Sequence, residues 1–353
     1  MPLHVVQLGP YPPPEGGISR NMIAIRDALR ARGDRCSIIA TAKSSRIDDA
    51  ADVYHPRSAF ALLRLLVTIK FDVLHLHIGG EVSKRVLSLA RAVAFFGRGR
   101  CLLTLHSGQY PLTDEANNAR PDSSSGHVFQ RFSRIIAVND AIADVFRRYG
   151  VPDERISVIL PFAPRLPDPG VSVPAGLAQF AGRCSPFLLS VGGLERDYDP
   201  LFQISAMADI LEDFPDAGLV IVGDGSMRAE VEDAVLATRY ADRVRLAGNV
   251  DHAVTLHLIN QADAMLRTTL FDGDAISVRE ALFLGTPVIA TDNGMRPEGV
   301  VLVDRDDPVA LAEAVRTVVD SESEAIAPLT PDTANIDAVI DLYDELVRSD
   351  RRG

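Results

Sequence analysis

The strongest constraint on the fold is that strand-like and helix-like segments alternate along the chain, twice over. In the first half, apolar runs such as HVVQLG (4–9), FDVLHLH (71–77) and CLLTLH (101–106) are separated by segments with helical spacing. The pattern is interrupted by the proline- and glycine-rich stretch PFAPRLPDPGVSVPAG and restarts at PFLLSVGG. Strands that alternate with helices predict a parallel sheet covered on both faces. The sequence therefore predicts two α/β domains.

The predicted domains are residues 1–165 and 183–334, joined by a linker at 166–182. The C-terminal helix, within 335–353, is set apart from the second domain, and the sequence leaves open whether it packs on that domain or back on the first. Open α/β sheets bind ligands outside the carboxyl ends of their strands. We therefore expect the glycine-rich turns that follow strands to face a cleft between the two domains.

Composition places the protein among soluble globular chains, since 47% of its 353 residues are hydrophobic and 24% are charged. Cys36, Cys101 and Cys184 are far apart, which argues against a disulfide framework and for a reducing compartment. The N-terminus lacks the pattern of a signal peptide. The most apolar regions are broken by Arg64 and Arg91, which argues against a transmembrane helix. We therefore expect a cytoplasmic protein.

The charge is distributed unevenly between the two halves. Residues 1–165 carry 22 Lys+Arg and 15 Asp+Glu, a balance of +7, and the remainder carries 14 and 33, a balance of −19, which together give the net −12. The acidity makes nucleic acid a poor partner. The segments ALLRLLVTIK (61–70) and SKRVLSLARAVAFFGRGR (83–100) combine apolar and basic residues. They are interpreted first as core helices, and alternatively as a surface that docks on an anionic membrane leaflet.

Two motifs in the first domain follow strands. Gly16 and Gly17 precede a helix expected to start at Ile18, where glycine allows close backbone approach and free N–H groups can bind an anion. His106, in LHSG, ends a strand and is expected to face the cleft. His75 and His77 are expected to point to alternate faces of their strand and are interpreted as structural.

In the second domain, the segment SVGGLERDYDP contains the end of a strand, at Gly192 and Gly193. Arg196 follows in the same segment and is a cation that can neutralise phosphate. A solvent-exposed arginine is the alternative interpretation. The turn VIVGDG, with Gly223 and Gly225, is interpreted mainly as a structural turn between a strand and a helix.

The stretch FDGDAISVREALFLGTPVIA (271–290) places carboxylates beside a helix. The pattern predicts a helix from Ile276 to Leu284 that ends at Gly285. Free N–H groups at 275–277 can bind phosphate or a sugar hydroxyl. Glu280, one turn into the helix, can accept two hydroxyl hydrogen bonds from a ribose diol, and Asp272 in the preceding loop can reach a second set of hydroxyls.

The order of these motifs carries a resemblance that covers nearly the whole chain. The motifs come in this order along the chain: a Gly-Gly loop, LHSG, SVGGLE, VIVGDG and LAGNV. After them come an acidic residue, seven residues, a glutamate and the segment ALFLGTPVIA. This order resembles glycosyltransferase family 4, retaining enzymes of the GT-B fold. The resemblance implies an α/β GT-B architecture in which two Rossmann-like domains face each other across a cleft.

The resemblance also implies roles for individual residues. Glu280 would bind the donor ribose, Asp272 would stand where the family usually has glutamate and touch the transferred sugar, and His106 would contact that sugar. The remaining donor-binding positions it implies are Gly16, Gly17, Gly193, Gly248, Asn249, Asp274, Ala275, Ile276 and Ser277.

The chain departs from the family at the diphosphate. Family members usually carry arginine at the position of Gly193 and lysine near Tyr198, and neither is present here. Arg196, Arg267 and Arg279 are the candidate substitutes, and Arg196 is preferred because it lies in the same loop.

The resemblance therefore implies a retaining hexosyltransferase that uses a nucleotide sugar, a sugar or lipid-linked acceptor and no metal or other cofactor, in bacterial polysaccharide or glycolipid assembly. One alternative takes Asp272-Gly273-Asp274 as a divalent-metal site of a metal-dependent transferase. A nucleotide-sugar epimerase of the same fold is another. A third is a nucleotide-binding partner subunit with weak catalysis, motivated by the missing arginine and lysine.

Overall fold

A computed structural model of the protein describes residues 2–11, 16–41, 52–161, 165–271, 275–321 and 333–350. The chain forms two compact units. The N-terminal unit comprises Met1–Ala163 and Asp332–Gly353, and the C-terminal unit comprises Pro164–Pro331. Each unit is an α/β structure built on a parallel sheet.

The secondary structure follows the alternation expected from the sequence. The strands are β1 (His4–Gly9), β2 (Arg35–Ala40), β3 (Val53–Tyr54), β4 (Val73–Ile78), β5 (Cys101–Leu105), β6 (Arg134–Ala137), β7 (Ile156–Val158), β8 (Phe187–Val191), β9 (Gly218–Val222), β10 (Val244–Gly248), β11 (Ala264–Arg267), β12 (Val288–Thr291) and β13 (Val300–Val303). The helices are α1 (Gly17–Ala31), α2 (Ala59–Thr68), α3 (Lys84–Phe96), α4 (Asp114–Asn117), α5 (Ser124–Phe129), α6 (Asp140–Arg148), α7 (Ala175–Ala181), α8 (Pro200–Asp213), α9 (Arg228–Leu236), α10 (His252–Gln261), α11 (Ile276–Leu284), α12 (Pro308–Asp320) and α13 (Ala334–Asp350).

The N-terminal unit contains a seven-stranded parallel sheet in the order β3-β2-β1-β4-β5-β6-β7. Its central strands are buried along their whole length, as the six consecutive buried residues of β4 show. Apolar side chains on both faces of the sheet are therefore covered by helices. On one face, α13 packs Ile336, Val339 and Tyr343 into a cluster with Val5 and Ile25.

Ion pairs also hold α13 on the N-terminal unit. Arg32 Nη1 lies 2.8 Å from Asp344 Oδ2, and Arg134 Nη2 lies 3.4 Å from Glu345 Oε2. The acidic helix thereby places negative charge on the unit whose sequence is basic.

The C-terminal unit contains a six-stranded parallel sheet in the order β10-β9-β8-β11-β12-β13. One apolar cluster lies on each face, the first around Leu188 and Leu219 and the second around Leu189 and Val220. Residues at successive positions of a strand point to opposite faces, so β8 and β9 contribute to both clusters.

Each sheet has one point where the strand order reverses. In the N-terminal unit the chain runs outward from β1 to β3 and then returns to β4, which pairs with β1. In the C-terminal unit it runs outward from β8 to β10 and returns to β11, which pairs with β8. Ligands of open α/β sheets bind in the crevice at such a reversal, outside the carboxyl ends of the two strands. A ligand of each unit is therefore expected beside two strand ends. These are the ends of β1 and β4 in the N-terminal unit, and the ends of β8 and β11 in the C-terminal unit.

The segment expected to be a linker contains the short helix α7. Its Leu177, Phe180 and Ala181 are buried in the core of the C-terminal unit. The helix was not expected from the sequence because only two turns of helical spacing follow a run of prolines.

Candidate functional site

A small cavity lies at the carboxyl ends of β8 and β11 in the C-terminal unit. The space between its walls, part of which is open to solvent, is about 230 Å³. It is lined by Ser190, Gly192, Gly193, Leu194, Tyr198, Pro200, Gln203, Ile221, Arg267 and Thr269. The cavity therefore presents polar and charged side chains at the point where the strand order reverses.

Arg267, the last residue of β11, is the charged side chain in this cavity. It is only 6% exposed, and its Nη1 donates a hydrogen bond of 2.6 Å to the carbonyl oxygen of Val191. Its guanidinium lies over the ring of Tyr198, 4.9 Å from the ring centroid. Arg196, by contrast, is exposed on the 3-10 turn that leads to Tyr198.

Gly192 and Gly193 keep the end of β8 open. A Cβ atom on Gly192 would lie 2.5 Å from the Tyr198 ring and 3.0 Å from Arg267 Nη1, so a larger residue would displace the stacked pair. A Cβ atom on Gly193 would meet no atom closer than 3.5 Å. Glycine is thus sterically required at the first position but not at the second.

The helix predicted between Ile276 and Leu284 is confirmed by α11, which has the same bounds and ends at Gly285 with a φ of +81°. Ala275 caps its N-terminus and is buried, and no side chain supplies a capping hydrogen bond. Ile276 and Ser277 form the first turn and are partly buried. Asp272 and Asp274 lie outside the described residues.

Glu280 occupies the inner face of α11 and is 5% exposed. Its Oε1 accepts a hydrogen bond of 2.6 Å from Nε2 of His252, the first residue of α10. Within the described part of the chain, no hydrogen bond is made by Oε2. A buried carboxylate with one oxygen fixed by a histidine is oriented to accept hydroxyl hydrogen bonds through the other. Sequence reasoning did not identify His252, because the two residues are far apart in sequence and carry no shared motif.

Gly248 is the last residue of the edge strand β10, and Asn249 follows it. The φ of Gly248 is +69°, which favours glycine, and its carbonyl oxygen accepts a 2.9 Å hydrogen bond from the amide of Gly223. Asn249 is exposed. This bond ties the turn after β9 to the end of β10.

In the N-terminal unit, the Gly-Gly motif lies where α1 begins. Gly16 is the N-cap residue and Gly17 the first residue of the helix, one position before the expected start. The Gly16 amide donates to Ser19 Oγ, 3.0 Å away. A Cβ on Gly79, just after β4, would lie 2.1 Å from Ile18, so glycine there allows α1 to pack closely on the sheet.

A chain of hydrogen bonds fixes the ring of His106. Gln7 Nε2 donates to the carbonyl oxygen of Met22 at 2.9 Å, which leaves Gln7 Oε1 to accept from His77 Nε2 at 3.0 Å. His77 Nδ1 is then an acceptor, so His106 Nε2, 3.1 Å away, carries the proton. Within the described residues no partner is found for His106 Nδ1, which is the acceptor of this tautomer. Burial lowers the pKa of His106 to about 3, so the ring is neutral.

The expectation that His75 and His77 point to alternate faces was wrong. Residues two apart in a strand share a face, and the two rings lie with their centroids 3.9 Å apart. His75 is fully buried and hydrogen-bonds through Nδ1 to Tyr343 at 2.6 Å and through Nε2 to Thr104 at 2.7 Å. It is structural, as expected, whereas His77 orients His106. Burial lowers the pKa of both rings well below the usual value.

Comparison with protein families gives a match in each unit. Residues 15–163 match the model described as Glycosyltransferase Family 4, and residues 182–328 match the model described as Glycosyl transferases group 1. The chain belongs to glycosyltransferase family 4. The resemblance inferred from the order of its motifs is thereby confirmed.

Curated relatives are distant in sequence. The phosphatidyl-myo-inositol mannosyltransferase of Mycobacterium leprae is 25% identical over 330 residues, 85% of this chain and 83% of that protein. The glycogen synthase of Mycobacterium tuberculosis is 28% identical over 144 residues, which span 39% of this chain and 35% of that protein. This chain therefore spans about a third of the length of the glycogen synthase.

Solved structures share the GT-B fold with this family 4 chain. HepE from Anabaena, in complex with UDP and glucose, superposes with a TM-score of 0.71 at 16% identity, covering 99% of this chain and 100% of HepE. The catalytic domain of starch synthase IV from Arabidopsis thaliana, bound to ADP and acarbose, gives 0.68 at 15% identity with the same coverage. The expected fold class is confirmed.

Two further properties of the described residues bear on the site. None of the helices there combines the length and the apolar character needed to cross a membrane. Among the same residues, no group of three His, Cys, Asp or Glu side chains is arranged to hold a metal ion. Asp272 and Asp274 lie outside those residues.

Proposed function

We propose that the protein is a retaining glycosyltransferase that moves a hexose from a nucleoside-diphosphate sugar to a hydroxyl group of an acceptor, without a metal. The observation that carries this proposal is the buried Glu280, whose Oε1 is held by His252. A carboxylate fixed in this way suits the two adjacent hydroxyls of a ribose. The nucleotides in the HepE and starch synthase IV structures support a nucleotide donor.

The chemical demand of the proposed reaction is to stabilise the leaving diphosphate as the glycosidic bond breaks. Free N–H groups at the start of α11, around Ala275 to Ser277, suit this role because a helix N-terminus favours negative charge by roughly 0.3–1 kcal/mol. The acceptor hydroxyl would attack from the face that the diphosphate leaves, so the configuration at the anomeric carbon is retained. Asp272 is proposed to contact the transferred sugar.

His106 is proposed to bind the sugar as a neutral acceptor. Its Nδ1 can accept a hydrogen bond from a sugar hydroxyl because Gln7 and His77 keep the proton on Nε2. A low pKa suits this role, since a protonated ring would donate at both nitrogens and lose the acceptor.

We propose that the acceptor is a sugar or a lipid-linked sugar and that the protein works in the cytoplasm at the inner face of the membrane. Helices α2 and α3 expose Phe60, Val67 and Phe95 by 78%, 67% and 70%. Exposed basic residues, including Arg64 and Arg91, lie on the same helices, and the ion pairs found among the described residues do not include them. Apolar and basic residues together suit an anionic leaflet.

Sedimentation with vesicles tests the membrane part of the proposal. The protein should pellet with vesicles that contain phosphatidylglycerol and not with pure phosphatidylcholine. The double variant Phe60→Ser/Val67→Ser should stay in the supernatant. Leu236→Ser, at a residue that is 75% exposed in the C-terminal unit, is the matched control. Equal pelleting of all three proteins would contradict the proposed surface.

Calorimetry with UDP, GDP and ADP in the presence of EDTA tests the donor site. One nucleotide should bind, and Glu280→Gln should weaken it by about 10- to 100-fold, because a hydrogen bond to a charged group is worth roughly 1.5–3 kcal/mol. Glu313→Gln, at an exposed glutamate of α12, is the control.

The other outcomes separate the alternatives. Binding that requires Mg²⁺ or Mn²⁺ would favour the metal site at Asp272 and Asp274. Binding of a nucleotide without sugar transfer to any of a range of acceptors would favour the partner subunit. Binding of no nucleotide would refute the proposed function.

A further inference from the structure

We propose that Arg267 is the cation that holds the diphosphate of the donor in this protein. The proposal rests on the proposed function and deepens it, because it assigns the phosphate subsite to a residue outside the loop in which the sequence suggested looking. It replaces Arg196 as the preferred candidate.

Topology is the first support. Arg267 ends β11 and Gly192 follows the end of β8, and these two strands flank the reversal of strand order in the C-terminal sheet. An anion bound in the crevice of this unit would lie next to both strand ends. Arg196 lies further along the loop and is exposed to solvent.

Orientation of the guanidinium is the second support. The hydrogen bond to Val191 and the stacking on Tyr198 fix its plane, while the glycine at 192 leaves room for the pair. A planar guanidinium that is already held loses little conformational freedom on binding a phosphate.

A second polar group in the cavity also indicates a ligand. Gln203 is 3% exposed, and its amide nitrogen donates to Thr268 at 2.7 Å, whereas its Oε1 has no hydrogen-bond partner within the described structure. A buried acceptor without a partner is uncommon in native proteins. A bound water or a hydroxyl beside the phosphates would satisfy it.

The experiment compares diphosphate with monophosphate binding, so that it isolates the phosphate subsite. The nucleotide that binds the wild-type protein is titrated as diphosphate and as monophosphate into wild type, Arg267→Met and Arg196→Met. Arg267→Met should weaken diphosphate binding by about 10- to 100-fold and change monophosphate binding much less. Arg245→Met, at an exposed arginine of β10, is the control for loss of a surface charge.

Rescue separates a binding role from a structural one. Gly193 lines the same cavity and has room for a side chain, so Gly193→Arg in the Arg267→Met background offers the cavity a second guanidinium. Most of the lost diphosphate affinity should return. If Arg267→Met does not fold, Tyr198→Leu replaces it, since loss of the ring frees the guanidinium and should weaken diphosphate binding at least about threefold.

The outcomes are distinct. Unchanged diphosphate binding by Arg267→Met, equal losses for both nucleotides, or loss in Arg196→Met instead would overturn this inference and leave the proposed function standing. Absence of any nucleotide binding by the wild-type protein would overturn both.

Discussion

Stability of the N-terminal unit should fall steeply between pH 7.5 and pH 5.0 because three histidines are buried in it. Burial lowers the pKa of His75, His77 and His106 in the folded protein, whereas in the unfolded chain each ring titrates near 6.5. The unfolded state therefore binds more protons below pH 6.5, so these groups contribute stability above that pH and lose it as the pH falls.

The expected magnitude follows from linkage. A histidine that stays neutral when folded lowers the free energy of unfolding by about 1.4 kcal/mol for each pH unit below 6.5, or about 2 kcal/mol at pH 5.0. Three such rings give about 6 kcal/mol, a large part of the 5–15 kcal/mol that stabilises a typical protein. Removing one ring by His75→Gln should reduce the pH-dependent loss to about 4 kcal/mol, although the variant is less stable at pH 7.5.

A tryptophan reporter makes the measurement specific to one unit. The chain has no tryptophan, and Tyr54 packs on the core of the N-terminal unit, so Tyr54→Trp reports its unfolding in urea. Free energies of unfolding at pH 7.5 and pH 5.0 are compared in this background with and without His75→Gln. His127→Gln, at an exposed histidine, is the control. An equal loss of stability between the two pH values in His75→Gln and in its parent would show that His75 does not contribute to the pH dependence.

Three further predictions concern single contacts. His252→Ala should weaken nucleotide binding by about 2- to 12-fold in calorimetry, because Glu280 loses the hydrogen bond that orients it. Gly223→Ala should lower the free energy of unfolding in urea by about 2–4 kcal/mol, since its φ is +135° and a Cβ would lie 1.8 Å from a backbone oxygen. Tyr343→Phe should cost about 1–3 kcal/mol in the same assay because it leaves the buried Nδ1 of His75 without its partner, and a loss below about 0.5 kcal/mol would show that the bond is not formed.

Elements with clear periodicity and clear ends were predictable from the sequence. The helix α11 shows this best: its apolar spacing, the glycine at 285 and the following proline fixed both ends. The short strand β3 and the helix α7 were not found, because two strand residues or two helical turns carry too little periodicity.

The side-chain partnerships of the site were much less predictable. Glu280 was identified from its place on a helix, but its partner His252 lies on a different helix and is brought close only by packing. The chain of hydrogen bonds from Gln7 through His77 to His106 joins neighbouring strands. The register of these strands is known only from the assembled sheet. Local sequence patterns specify which residues a strand presents, and they do not specify which strand lies beside it.

The choice of Arg267 over Arg196 as the cation at the diphosphate depends on the strand order of the sheet, which the sequence alone does not provide. Within one loop, the sequence offers Arg196 as the nearest substitute for the missing arginine and lysine. In a parallel sheet, however, the residue that follows the end of β8 lies beside the ends of both adjacent strands, β9 and β11, and the end of β11 is 75 residues away in the chain. Arg267 stands at that end, with its guanidinium on Tyr198, the residue near which the family usually has lysine. A chain that loses a functional cation from one strand end can therefore regain it from the adjacent strand, and substitutes are best sought among neighbours in the sheet.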